Sequence, residues 1–193
     1  MGPSDFVIVS KLEAAERQLD AAIRLFFARE DAVSVHTLAA AAYQVIIDIC
    51  KQKGIERELE DSKILDELGI KREFLAEIRR PQNFFKHADK DAEQSVKLKP
   101  MQTALMMMSS VQYLYKLRQS HSSECNVFRI WFALLRPDCL PPAIRETLGL
   151  ERISIPVTDY EFFTDAIAEQ KRVSSQATLQ IQPTPDGAAE RDR

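Results

Sequence analysis

The chain has 193 residues, enough for one domain with a real core plus appendages. It is 45% hydrophobic and 28% charged with a formal net charge of -3, so no global basic field points to nucleic acid, and any such contact needs a local basic patch. Only 5 glycines argue against a turn-rich all-β protein.

Residues 1 to about 9 read as a lead-in, and Ser10 is placed to cap the first helix. From Lys11 to Arg29, Leu12, Ala15, Leu19, Ala22 and Phe26 alternate at spacings of three and four, one face of a helix. After a short break Ser34 reads as the next N-cap. Val35, Leu38, Ala42, Val45 and Ile49 carry a second helix, which Gly54 stops. The short connection makes these two an antiparallel pair, and the small residues Ala39 to Ala42 let another backbone come close.

Residues 55 to 72 form a charged connector with a helical turn near Leu65. A third helix begins near Lys71 with Phe74, Leu75 and Ile78 as its apolar contacts, and Pro81 is expected to interrupt it. Asp89 to Lys99 read as a loop, and Pro100 opens a fourth long helix. The run Met106-Met107-Met108 reads as core filler, or as an adaptable binding face. Val127, Ile130, Trp131 and Leu134 mark a fifth helix, Pro142 to Leu148 a short one, and Asp159 to Val173 a last amphipathic one.

The fold class is therefore all-α. The expectation is an up-down bundle of about four core helices over residues 10–118, a helical extension over 122–173 packed on the core or on a partner, and a disordered tail over 174–193.

Cys50, Cys125 and Cys139 are odd in number and read as reduced thiols. No stretch approaches the roughly 20 apolar residues of a membrane span, and the N-terminus lacks a basic region followed by an apolar one, so the expectation is the cytoplasm. There is no phosphate-binding loop with Lys-Ser/Thr, no Glu-x-x-His pair for a di-iron bundle and no paired Cys-x-x-Cys for zinc. No cofactor and no metal are expected. His87, Asp89 and Asp91 read as a loop cap and a solvated charge run rather than as cation ligands.

The chemistry concentrates in Arg79-Arg80-Pro81-Gln82-Asn83-Phe84-Phe85-Lys86-His87-Ala88-Asp89-Lys90-Asp91. Seven residues at about 100° each bring Arg80 and His87 back to one helix face, two turns apart. So placed, an imidazole can move the proton of an attacking or leaving hydroxyl, and a guanidinium can stabilise charge on phosphoryl oxygens. Asn83, one turn before His87, can orient either group. Arg79, Lys86 and Lys90 supply a local positive patch for substrate.

An all-helical chain with Arg, a short spacer (six residues here) and His resembles the HEPN superfamily. The resemblance implies a helical homodimer and, in many members, a metal-independent ribonuclease of toxin–antitoxin or related defence systems. It implies Arg80 and His87 as the catalytic pair, meeting the same pair of a second subunit. Pro81 stands where the family usually has a polar residue, and Asp89 where some members carry a modified tyrosine. Ser34 to Tyr43 together with Asn83 to Asp89 also resemble a group of bacterial proteins of unassigned activity.

In an up-down bundle the start of helix two and the finish of helix three share one end, so His36 is expected near His87, with Arg29 at the same end. His36 and Asp89 are supporting residues in that reading. Locally bonded structural residues are the other reading, for His36 and His87 alike. The sequence supports two functions. One is RNA cleavage by a HEPN-like homodimer. The other is a non-catalytic helical module gripping a protein partner through Tyr160, Phe162 and Phe163 or through the methionine face.

Overall fold

A computed structural model describes residues 6–58, 60–86, 93–139, 142–147, 149 and 152–181. Among them no strand occurs, and the order is α1 (Lys11–Phe27), α2 (Ala32–Gln52), α3 (Lys63–Glu67), α4 (Lys71–Lys86), α5 (Pro100–Arg118), α6 (Ser123–Leu135), α7 (Pro142–Thr147) and α8 (Tyr160–Ile181). The expected all-α class stands.

Caps set the helix starts. Ser10 and Glu13 form a reciprocal capping box at α1, in keeping with the cap expected of Ser10. At α2 the cap is Asp31 rather than Ser34. The Asp31 carboxylate accepts from both the Ser34 amide and the Ser34 hydroxyl, and this starts the helix two residues before Ser34. Pro100 occupies the first turn of α5, and Gln119 closes that helix in the left-handed region at φ 58°.

Polar contacts give the directions. His36 meets Thr103, and the Tyr43 and Tyr113 rings lie 6.5 Å apart, so α2 and α5 run parallel. Asp20 meets Ser122 and Arg24 meets Glu124, so α1 and α6 run parallel as well. Lys171 reaches back to Glu124 while Phe163 stacks on Phe27 at 5.3 Å, which makes α8 antiparallel to both. The chain thus rises and falls in order, with α1 and α2 packed along their length.

The core differs from the expected four helices. α1, α2 and α5 are joined by α6 and α8, not by the third long helix. Phe128, Trp131, Phe163 and Ile167 are buried against Phe27 in one cluster with Leu19, Ile46, Met107 and Val111. The segment 122–173 is therefore part of the core, and the Trp131 indole N–H donates to the Val157 carbonyl at 2.9 Å to hold it there. α4 lies outside the core, touching mainly α2, and buries only Pro81 and Gln82 fully. α2 is long and apolar enough to cross a membrane by composition; here its apolar side chains face α1 and α5.

Two further expectations are corrected. α4 runs unbroken through Pro81. Proline removes the donor that would reach the Glu77 carbonyl, and the Gln102 side-chain amide donates to that carbonyl instead at 2.9 Å. α8 also continues eight residues past Val173 to Ile181, where a disordered tail was expected. Once Phe163 and Ile167 anchor the helix, adding residues costs little, although Lys171 to Ala177 are exposed. Residues 182–193 lie outside the described part.

Candidate functional site

α4 divides its residues between two faces. Pro81 and Gln82 point inward, and the Gln82 amide donates to the Ala40 carbonyl at 3.3 Å, a contact that the small Ala39–Ala42 stretch leaves open. Phe85 packs edge-on against His36, with ring centroids 6.0 Å apart. Arg80, Asn83 and Lys86 are exposed. The Arg80 side chain is 67% exposed and pairs with Glu77 at 3.8 Å. His87, Asp89 and Lys90 lie outside the described residues.

The topology brings the end of α4 to the start of α2, as the up-down argument required, but His36 is sealed there. It is fully buried, Nδ1 is 2.9 Å from the Thr103 hydroxyl, and Nε2 has no partner. Burial lowers its pKa, so the ring is neutral near pH 7. In this fold His36 is a core histidine, separated from Arg80, which faces solvent. Arg29 is engaged elsewhere, its guanidinium 5.2 Å above the Tyr160 ring.

Arg79 is half-buried beside Glu60, a residue the sequence did not single out. Glu60 is buried; its Oε1 accepts the Tyr43 hydroxyl at 2.5 Å and lies 3.8 Å from the Arg79 guanidinium, while Oε2 has no partner. Burial, then the Glu60 contact, pushes the Tyr43 hydroxyl far above its ordinary pKa. Arg79 thus fastens α4 to the 55–61 connector, which limits what it can offer a substrate. Nothing in the local sequence pairs Tyr43 with Glu60; only the return of the connector over α2 does.

A second polar cluster lines a cavity of about 460 Å³ where α5 ends and α6 begins. The Asp20 carboxylate accepts from the Ser122 hydroxyl at 2.6 Å and from the Cys125 thiol at 3.7 Å, and burial raises its pKa. Cys125 is pushed up to about 12 by burial, so it is a thiol and not a nucleophilic thiolate. Glu16 and Arg118 close a bidentate pair. His121 stacks on Tyr115 at 4.9 Å and takes an Arg129 contact at 3.3 Å; burial and then Arg129 lower its pKa. These groups mostly bond to one another and cap α6, and the separation of 102 positions between Asp20 and Ser122 hides the cluster from any local motif.

The surfaces suggested for gripping a protein partner are largely used internally. Phe163 is in the core, Tyr160 packs against it, and Met106 and Met107 are buried. Phe162 and Met101 remain exposed. Comparison of the chain with protein-family models, with curated proteins and with solved structures gave no match.

Proposed function

We propose that the second half of α4 is an RNA-directed surface, and that the chain is a HEPN-like, metal-independent ribonuclease with Arg80 and His87 as its working pair. The observation that carries this reading is the division of α4. Arg80 and Asn83 stand in solvent while Pro81, Gln82 and Phe85 hold the helix to α2. The Arg80 guanidinium is paired only with the equally exposed Glu77 carboxylate at 3.8 Å, a solvent-screened pair that a phosphate can displace. His87 lies seven residues on from Arg80, on the same face if the helical path continues. Lys86, also exposed, adds charge where the acidic chain otherwise has little to attract RNA.

Arg80 would stabilise negative charge on the phosphoryl oxygens, and His87 would carry the proton of the attacking or leaving hydroxyl. Asn83 would orient the phosphate. Exposed Phe74, Ile70 and Leu68 around the start of α4 favour a second reading, a protein-binding helix without catalysis.

The test is cleavage of mixed-sequence RNA in EDTA by the wild type, Arg80→Ala and His87→Ala, with circular dichroism on each. Loss of about 100-fold or more in both folded variants is the expected result. A folded wild type that neither cleaves nor binds RNA leaves the protein-binding helix as the better account.

A further inference from the structure

The cavity of about 460 Å³ at the junction of α5 and α6 is lined from α1, α5 and α6 and by Ser120, His121 and Ser122. A space of that size is in the range of small-molecule pockets. Leu114 and Cys125 are buried while Arg118 and Ser120 are exposed, so the cavity has an apolar inner wall and an opening to solvent.

The charges around it do not cancel. The Glu16 carboxylate and the Arg118 guanidinium neutralise each other in a bidentate pair. Arg129 can only donate, so its contact at 3.3 Å makes His121 Nε2 an acceptor. Burial and Arg129 keep that imidazole neutral, with its proton on Nδ1. Asp20 is left as the one lining charge with no ion-pair partner among the described residues. Arg24, one turn further along α1, is committed to Glu124, and so is Lys171 of α8. The Ser122 hydroxyl and the Cys125 thiol, both neutral donors, meet Asp20 on the same oxygen, Oδ1. Oδ2 bonds to no described residue and is not sealed from solvent. A half-buried carboxylate with one open oxygen beside an apolar wall is an acceptor for a cation.

We propose that this cavity binds a small organic amine, with its ammonium group on Asp20 Oδ2 and its apolar body against Leu114. One open oxygen suits the point charge of an ammonium better than the planar fork of a guanidinium, which takes two carboxylate oxygens. The Ser120 hydroxyl, at the opening, is an acceptor for a further N–H of the same group. An anion fits badly, because Arg118 is already paired with Glu16 and Asp20 would repel it. The site is remote from the Arg80 surface. Thr103, bonded to His36 beside Phe85, marks the level of the last turn of α4. Leu114 lies about three turns and 17 Å further along α5, so amine binding and RNA cleavage are separable.

The test is a titration of the isotope-labelled chain, followed by amide NMR shifts at fixed neutral pH and ionic strength. The probes are phenethylamine, phenethyl alcohol and hydrocinnamate, which share a phenylethyl body and differ in charge. The amine is expected to shift the amides of Asp20 and of Ser120 to Cys125 saturably, with a Kd of about 1 mM. The alcohol and the acid should bind at least tenfold more weakly. Asp20→Asn keeps the size of the side chain and an acceptor for Ser122, and should weaken the amine at least tenfold while leaving the alcohol unchanged. Arg118→Gln frees the Glu16 carboxylate and should tighten the amine severalfold, which decides the matter if circular dichroism shows Asp20→Asn misfolded. The absence of a saturable shift with the amine up to about 50 mM overturns the proposal. So does an alcohol or acid that binds as tightly, a folded Asp20→Asn that binds like the wild type, or an Arg118→Gln that binds the amine more weakly. Arg80→Ala should bind the amine as the wild type does. If the wild type binds the amine but cleaves no RNA, the ribonuclease reading fails and this one stands.

Discussion

α4 and α6 are both helices with aromatic residues, yet they stand in opposite relations to the rest of the molecule. α6 places Val127, Phe128, Trp131 and Phe132 in the core, where Phe128 meets Phe26 at 5.8 Å and Phe27 at 6.1 Å. α4 is held by the Gln82 and Gln102 amides, Pro81, the partly buried Ile78, one aromatic edge and a 3.8 Å ion pair. Hydrophobic burial scales with the area removed from water, so α6 carries stability while α4 is a helix laid on the outside. A helix so held can present its polar side chains, or move, without disturbing the core. Arg79 to Lys86, which carry part of that chemistry, sit on a helix that adds little to the core.

The largest effect is expected from Phe128→Ala. The side chain is fully buried, and its removal should cost about 3–5 kcal/mol, read as a fall in the urea midpoint at unchanged slope. Phe84→Ala on α4, at a half-buried ring, should cost well under half of that. Equal losses would break the distinction between the two helices.

Much of this was legible in the sequence, and the exceptions have physical causes. The three-and-four spacing of Leu19, Ala22 and Phe26 reports burial on one face whatever covers it, so α1 could be drawn without its neighbours. The partner could not: the same rule does not say that Phe27 stacks on Phe163 rather than on a residue of α4. Pro81 was read by its local rule, and the donor that overrides it comes from Gln102 on another helix. Glu60 and Asp20 carry no local signal at all, because their partners are distant in sequence. The exposure of Arg80 depends on one helix face alone, whereas the burial of His36 had no local signal, because it needs Thr103 and Phe85 together.

A smaller effect is expected from pH at the seam between α4 and the core. Burial depresses the pKa of His36, so the unfolded chain takes up its proton first as pH falls. The stability that neutral His36 contributes is present above its ordinary value of 6.5 and is lost as pH falls from there toward the folded value. His121 is depressed too, by burial and by Arg129, and loses stability in the same direction. Urea midpoints between pH 7.5 and 5 should therefore slope downward in the wild type. His36→Gln should flatten the slope without abolishing it. An unchanged slope would place the titration elsewhere.

The smallest effect concerns Pro81 alone. Its missing amide leaves the Glu77 carbonyl to Gln102, an exposed hydrogen bond, so Gln102→Ala should cost about 0.5 kcal/mol. The loss should be local. Hydrogen exchange should show faster opening of the α4 amides after Glu77 with the amides of α2 unchanged, since α2 keeps its contacts with α1 and α5. Pro81→Ala restores a donor to the same carbonyl at the expense of a buried ring. In that background Gln102→Ala should cost nothing, because the backbone amide now fills the site, and the two substitutions should be non-additive. If they add, the side-chain bond is not what keeps α4 continuous through its proline. If α2 opens together with α4, the outer helix is part of one cooperative unit with the core, and Arg80 is displayed by the whole bundle rather than by a helix free to move on it.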